Sequence, residues 1–110
     1  MDYAEILYEK RDDAAWIGIN RPEVRNAFRE QTLDELAHAL ESTREDPTIV
    51  AAVVYGVGGH FSAGGDFEYI DELARDEDLR RLSLTHGRQI VTGMVGCRVP
   101  VVAAVNGPAV

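Results

Sequence analysis

Residues 49–67 of the 110-residue chain read IVAAVVYGVGGHFSAGGDF, and the rest of the sequence can be interpreted as support for this stretch. Its first seven residues, 49–55, are apolar, which is long enough for a buried strand and too short to cross a membrane. Glycines follow at positions 56, 58, 59, 64 and 65, and Asp66 precedes an amphipathic run. A buried strand, a glycine-rich turn and a helix start are typical of a loop that brings backbone N–H groups to a ligand.

Three motifs that glycine-rich loops often form are absent from this loop. Residues 59–64 have the outer spacing of a P-loop, but Gly65 and Asp66 stand where Lys and Ser or Thr are required. Phe61 occupies the place of the third glycine in a dinucleotide fingerprint, and Ser62 lacks the preceding glycine of a hydrolase nucleophile elbow. The loop therefore offers backbone donors without a side-chain nucleophile. Such donors suit the oxyanion or enolate that develops on a thioester carbonyl.

The sequence around the loop predicts an α/β chain. Its pattern indicates a hairpin of residues 6–11 and 14–20, a helix over 30–44 and a short buried strand over 99–105. We expect Asp66 to cap the helix that follows it rather than to act as a catalytic acid. Two sets of apolar residues are expected to face the core from the helices after Asp66: Phe67, Ile70, Leu73 and Ala74 on the first, and Leu79, Leu82, Ile90, Val91, Met94 and Val95 on the second.

The composition of the chain argues against some classes of binding partner and favours one type of cellular compartment. The net charge of −8 argues against general nucleic-acid binding. The single cysteine, Cys97, cannot form an internal disulfide, which favours a reducing compartment. The N-terminal residues lack the pattern of a secretory signal, and no apolar run has the length of a membrane span. We therefore expect a cytoplasmic protein with no nucleic-acid partner, no membrane partner and no metal.

Three segments carry motifs in a characteristic order. They are INRPEVRNAF at residues 19–28, FSAGGDF at residues 61–67 and VPVVAAVNGPA at residues 99–109. In this order they resemble the CoA-binding segment, the oxyanion-hole loop and the strand before the second half of the oxyanion hole in the crotonase superfamily, the enoyl-CoA hydratase/isomerase group. The resemblance implies an α/β, crotonase-like (ClpP/crotonase) fold of repeated ββα units. Residues 1–110 would form the N-terminal portion of a single acyl-CoA-binding domain.

The resemblance also implies which residues form the site. Ala63 is the expected catalytic residue, with its backbone N–H as an oxyanion-hole donor. Arg25 is expected to meet a CoA phosphate, although by itself it could be a solvated arginine. The expected residues of the substrate and CoA site are Arg25, Ala27, Ala63, Gly64, Gly65, Asp66 and Phe67. No separate cofactor is expected, because coenzyme A is part of the substrate, and family members suggest a homo-oligomer, either a trimer or a dimer of trimers.

The expected function is that of an enoyl-CoA hydratase of fatty acid metabolism acting on an acyl-CoA thioester. The alternatives are another crotonase reaction, namely isomerisation, thioester hydrolysis or naphthoate-synthase-like ring closure, and a catalytically silent acyl-CoA-binding or assembly subunit. In the family the second oxyanion donor and the acid–base residues lie beyond a segment like residues 108–110. Residues 1–110 are therefore expected to be inactive by themselves.

Overall fold

The computed structural model describes all 110 residues, and a four-stranded mixed sheet lies at its centre. The strands are β1 (Ile6–Arg11), β2 (Ala14–Ile19), β3 (Ala51–Gly56) and β4 (Val101–Ala104), and they are neighbours in that order. β1 and β2 pair antiparallel, whereas β3 is parallel to both β2 and β4. Asp12 and Asp13 connect the hairpin with φ angles of 49° and 66°, as a type I′ turn requires. The predicted hairpin and α/β class are confirmed.

Three helices supply the crossovers that the parallel strands need. α1 (Glu30–Glu45) connects β2 to β3, and α2 (Phe67–Arg75) and α3 (Glu77–Val95) together connect β3 to β4. No helix combines the length and the apolar composition needed to span a membrane.

The core lies between α1 and the sheet. One cluster of buried side chains joins both elements: Ile6, Ile17, Ala39, Leu40 and Val54. A second cluster, at the other end of β3, comprises Ala15, Ile49, Ala52 and Val99. Apolar residues of β3 contribute to both clusters, so the strand that leads into the glycine-rich loop is held firmly on its core side.

The predicted buried faces of α2 and α3 are wrong for most of their residues, although Leu73, Leu79 and Ile90 are half-buried and Ile90 packs against the first core cluster. Phe67 is 91% exposed and Ile70 is 50% exposed, and Tyr69 is the only buried residue of α2. α3 has no buried residue, and Val95 is 83% exposed. The apolar periodicity is real, but α2 and α3 pack mainly on each other and α1, and nothing within residues 1–110 covers their remaining apolar surface.

Candidate functional site

The glycine-rich loop pairs on one side with the segment before α1. The N–H of Phe28 donates to the Gly64 carbonyl at 2.9 Å, and the Phe28 carbonyl accepts from the Asp66 N–H at 2.8 Å. The Ala63 N–H donates to the Arg25 carbonyl at 3.0 Å. These bonds form a short parallel ladder that fixes the backbone on both sides of Gly65.

The other side of the loop pairs with residues 108–110. The Pro108 carbonyl accepts from Phe61 at 3.0 Å and from Ser62 at 3.3 Å, and the Val110 N–H donates to the Ser62 carbonyl at 3.0 Å. The loop is therefore a middle strand between two segments that come from distant parts of the chain.

Among residues 61–66, Gly65 alone has a backbone N–H without an acceptor. The Ala63 N–H is occupied by the Arg25 carbonyl, and the Gly64 N–H donates to the Ser62 hydroxyl at 3.1 Å. The Gly65 N–H has no acceptor within the protein, although the amides on both sides of it are bonded. The prediction that Ala63 presents a free N–H is therefore wrong, because this N–H is bonded to the Arg25 carbonyl, and an unpaired N–H lies two residues later, at Gly65.

Each of the two loop glycines has a separate reason to lack a side chain. Gly64 has a φ angle of +87°, which strains any residue with a Cβ. At Gly65 a Cβ would lie 3.0 Å from the Cδ1 atom of Ile70, so the side chain would crowd the start of α2. Gly64 thus allows the turn of the loop, and Gly65 leaves room for the Ile70 side chain at the start of α2.

The buried side chain of Asn26 hydrogen-bonds to the glycine-rich turn. It is fully buried with a φ angle of 59°, and its side-chain oxygen accepts from the Arg21 N–H at 2.8 Å. Its side-chain nitrogen donates to the carbonyls of Val57 and His60, both at 2.9 Å, and its own carbonyl accepts from the Ser62 hydroxyl at 2.8 Å. Asn26 therefore connects the two ends of the glycine-rich turn to the segment before α1.

The predicted CoA-binding residues before α1 differ in their exposure. Arg25 has a left-handed φ angle of 57°, and its exposed guanidinium has no hydrogen-bond or ion-pair partner in the chain. Ala27 is buried, and its carbonyl accepts from Arg21 Nη1 at 2.6 Å. The Arg25 guanidinium is thus free of partners in the chain, whereas the Ala27 side chain is covered by the fold.

Asp66 is a helix cap, as predicted. Its Oδ1 accepts from the N–H groups of Glu68 and Tyr69 at 3.0 and 3.4 Å, and its Oδ2 lies 3.5 Å from Arg21 Nη1. Both carboxylate oxygens are engaged, so Asp66 supports the loop rather than offering a free acid. Phe67, the next residue, is almost fully exposed at the first turn of α2.

A buried ionic cluster lies behind the loop and the segment before α1. The Glu5 carboxylate accepts from Arg29 Nε at 2.7 Å and from the Thr32 hydroxyl at 2.6 Å, and it lies 3.6 Å from Arg21 Nε. Burial by itself raises the pKa of Glu5, but the hydrogen bonds from Arg29 and Thr32 and the charges of Arg29 and Arg21 outweigh burial. The pKa of Glu5 therefore lies below its ordinary value.

A second polar cluster joins α3 to α1. His86 Nδ1 contacts the Glu30 carboxylate, and His86 Nε2 lies 3.4 Å from Asp34 Oδ1. The Ser83 hydroxyl donates to Glu30 as well. Because the two ring nitrogens face different carboxylates, the three titratable groups do not converge on one point, and nowhere in the chain do three or more such groups form a metal site.

The comparison with known proteins settles which family the fold belongs to. The model of the enoyl-CoA hydratase/isomerase family matches residues 9–110. The chain belongs to this family. A crotonyl-CoA hydratase of Syntrophomonas wolfei is 32% identical over 108 residues, which are 97% of this chain and 41% of that protein. A trans-2-decenoyl-[acyl-carrier-protein] isomerase of Streptococcus mutans is 32% identical over 74% of this chain and 31% of its own length.

Solved structures agree with the family assignment. An enoyl-CoA hydratase/isomerase from Mycobacterium paratuberculosis superposes with a TM-score of 0.91 at 47% identity, covering 96% of this chain and 42% of that one. An enoyl-CoA hydratase/isomerase from Xanthobacter autotrophicus superposes with a TM-score of 0.85 at 35% identity, and the match covers 97% of this chain and 40% of that one. The chain thus has the crotonase fold and spans about two fifths of the length of these relatives.

Three residues that organise the site were missed by sequence reasoning: Glu5, Arg21 and Asn26. Arg21 and Asn26 lie within the CoA-binding-like segment, but only Arg25 and Ala27 were selected from it. The available signal was the Arg21-Pro22 pair followed by Asn26, because Asn is one of the few residues that tolerates a left-handed φ. No local pattern identifies Glu5, whose partners lie on the segment before α1 and on α1 itself.

Proposed function

We propose that this chain contributes the first half of an acyl-CoA site, in which the Gly65 N–H polarises the thioester carbonyl, and that the protein is an enoyl-CoA hydratase. The observation that carries the proposal is the unpaired Gly65 N–H, which lies between the bonded amides of Gly64 and Asp66. A donor fixed in this way needs no reorganisation when negative charge develops on the carbonyl oxygen. The similarity to a crotonyl-CoA hydratase supports the hydration reaction.

Arg25 is proposed to bind a phosphate of CoA. Its guanidinium is exposed and free of partners, and its carbonyl accepts from Ala63, so the cation and the loop are tied to the same peptide unit. A phosphate bound at Arg25 would therefore place the CoA in a fixed relation to the loop. The overall charge of −8 does not oppose this, because a local cation can outweigh the mean field.

Isomerisation is the second candidate reaction, because a relative of this chain is an enoyl-acyl-carrier-protein isomerase. Both reactions can use the same carbonyl polarisation, since each passes through negative charge on the thioester oxygen. Incubation with crotonyl-CoA and with a 3-enoyl-CoA, followed by identification of the products, distinguishes them. A protein that binds both thioesters and converts neither would instead be a silent acyl-CoA-binding subunit.

Replacement of a single backbone amide by an ester tests the donor directly. Glycolic acid at position 65 removes the Gly65 N–H and changes no side chain, and it should be made in the longest expressed form that contains residues 1–110. Loss of one oxyanion donor should lower kcat by about 10²–10³-fold. The Gly65 N–H makes no bond in the fold, so the free energy of unfolding should fall only slightly, through the weaker acceptor that the Gly64 carbonyl becomes as an ester for the Phe28 N–H.

The matched control is lactic acid at position 63, which removes the Ala63 N–H. This substitution breaks the bond to the Arg25 carbonyl and should lower the free energy of unfolding by about 1 kcal/mol. The loss of turnover should be smaller than at position 65. The reverse ranking, with turnover destroyed at position 63 and kept at position 65, would restore the original assignment to Ala63.

The phosphate contact is tested with Arg25→Ala. Loss of a charge-assisted hydrogen bond should weaken binding of butanoyl-CoA by about 1.5–3 kcal/mol in calorimetry. Binding of the corresponding pantetheine thioester, which lacks the nucleotide phosphates, should be unchanged. Arg44→Ala, which removes an exposed arginine of α1, serves as the control. An equal loss for both thioesters would show that Arg25 acts on folding rather than on phosphate.

A further inference from the structure

Arg21 occupies an unusual position for a cation. It is 8% exposed, and its guanidinium touches three groups from three parts of the chain. Nη1 donates to the Ala27 carbonyl at 2.6 Å and lies 3.5 Å from Asp66 Oδ2, and Nε lies 3.6 Å from Glu5 Oε1. The shortest contact is to a backbone carbonyl, so Arg21 does more than balance two carboxylates.

Two of these contacts lie on either side of the Gly65 peptide. Ala27 directly precedes Phe28, whose N–H and carbonyl form the ladder bonds to Gly64 and Asp66. Asp66 directly follows Gly65. Arg21 therefore contacts both strands of the ladder, and it does so beside the Gly65 peptide, whose N–H is unpaired.

The remaining contact keeps Arg21 itself in place. Glu5 is held by Arg29 and the Thr32 hydroxyl, and it presents its Oε1 to Arg21. Two carboxylates and two guanidinium groups thus share the cluster, and no buried side-chain nitrogen or oxygen in the chain lacks a hydrogen-bond partner. A fully satisfied polar network of this kind is rigid.

We propose that Arg21 is a positioning residue for the acyl-CoA reaction: by holding the Ala27 carbonyl and the Asp66 carboxylate together, it fixes the direction of the Gly65 N–H. The inference rests on the proposed function of Gly65. Arg21 does not touch the substrate, and its effect is transmitted through the backbone of Phe28 and Asp66. The planar guanidinium presents donors from three nitrogens in a rigid fork and meets a carbonyl and two carboxylates on different sides, whereas the lysine ammonium presents its donors from a single nitrogen at the end of a flexible stem.

The test uses Arg21→Lys and Asp66→Asn in the longest expressed form of the protein. Arg21→Lys keeps the positive charge and loses the planar guanidinium with its several donors. Asp66→Asn keeps an oxygen acceptor for the cap of α2 and loses the negative charge that faces Arg21. Arg75→Lys alters an exposed ion pair of α2 with Asp71 and is the matched control. Steady-state hydration of crotonyl-CoA gives kcat and KM for each variant.

The second readout is the infrared carbonyl band of bound butanoyl-CoA, labelled with ¹³C at the thioester carbon. A directed donor lowers the stretching frequency of this carbonyl, and a stability defect alone does not change the frequency in the folded, saturated enzyme. We expect both variants to lose kcat by about 10–100-fold with KM little changed, as for a misplaced catalytic donor. Their carbonyl bands should move towards that of free butanoyl-CoA, while Arg75→Lys should match the unmodified protein.

The outcomes separate the two proposals. If the unmodified protein turns over enoyl-CoA and lowers the carbonyl frequency but both variants leave the frequency unchanged, Arg21 has no positioning role and the function of Gly65 stands. If the unmodified protein does not shift the band, the proposed function fails and this inference fails with it. Should Arg21→Lys not fold, Asp66→Asn alone decides between these results, because its cap acceptor remains.

Discussion

Asn26 offers a quantitative test of how the loop is held. Asn26→Gly removes three side-chain hydrogen bonds, to the Arg21 N–H and to the carbonyls of Val57 and His60. At about 1 kcal/mol for each bond, losing the three bonds should lower the free energy of unfolding by about 3 kcal/mol. Asn26→Ala loses the same bonds and keeps a Cβ at a φ angle of 59°, as Asn26 itself does, so its loss should be about 3 kcal/mol. Asn26→Gly also removes that Cβ and relieves about 1–2 kcal/mol of left-handed backbone strain, so its loss should be only about 1–2 kcal/mol. A loss of about 3 kcal/mol is a large part of the 5–15 kcal/mol typical of a domain.

Urea unfolding followed by the fluorescence of Trp16, the single tryptophan, measures both changes. Asn20→Ala is the matched control, because the Asn20 side chain makes no hydrogen bond, and its stability should stay within about 0.5 kcal/mol of the original. The expected order of stability is Asn20→Ala, then Asn26→Gly, then Asn26→Ala. Equal stability of the two Asn26 variants would refute the backbone term, and a loss below about 1 kcal/mol in both would refute the three-bond argument.

Three further predictions concern stability. The lowered pKa of Glu5 means that its carboxylate stabilises the fold above its ordinary value of 4.5 and loses this contribution as the pH falls through the lower folded value. Glu5→Gln should therefore lower Tm at neutral pH and weaken the decrease of Tm as the pH falls below about 4.5. The exposed control Glu41→Gln should keep the same dependence of Tm on pH as the unmodified protein in calorimetry. Gly56→Ala would place a Cβ 2.1 Å from the His60 carbonyl oxygen, and its urea midpoint should reveal a loss of about 1–3 kcal/mol; an unchanged midpoint would mean that the turn can shift. Gly87→Ala, within α3 and with no atom within 4 Å of the added Cβ, should gain up to about 1 kcal/mol in the same assay, and a loss would contradict the open space there.

Local patterns predicted the elements of the fold well. The two Asp residues at positions 12 and 13 indicated the hairpin turn, and the apolar spacing after residue 30 indicated α1. The Asp66 cap was also predicted correctly, because a cap depends on backbone N–H groups only two and three residues away. In each case the deciding interactions lie close together in sequence.

The position of the free donor could not be predicted in this way. Ala63 and Gly65 lie in the same short loop, and which N–H stays unpaired depends on how the loop aligns with residues 25–28. The bonds do not alternate regularly along the loop, because the chain turns at Gly64, whose φ angle is +87°. The N–H groups of Ala63 and Asp66 reach carbonyls of residues 25–28 and the Gly65 N–H does not, and this arrangement depends on tertiary contacts that the local sequence does not reveal.

The prediction of the buried face of α2 was wrong for a related reason. Helical periodicity identified Phe67 and Ile70, but the neighbours of α2 select Tyr69 instead. The Tyr69 ring packs at 66° to the ring of Phe28, with centroids 6.3 Å apart, and its hydroxyl lies 3.5 Å from Glu30 Oε2. An amphipathic pattern shows that a helix has an apolar side, but the surrounding elements decide which residues are covered.

The placement of the loop between an early and a late segment bears on how the protein is made. A chain synthesised from its N-terminus presents residues 25–28 before the loop, and residues 108–110 well after it. Until Pro108 and Val110 have emerged, the carbonyl of Ser62 and the N–H groups of Phe61 and Ser62 have only water as a partner. Contacts between such distant segments form slowly, because a long stretch of chain must be closed first. The loop that carries Gly65 can therefore complete its hydrogen bonds only after residues 108–110 have been made.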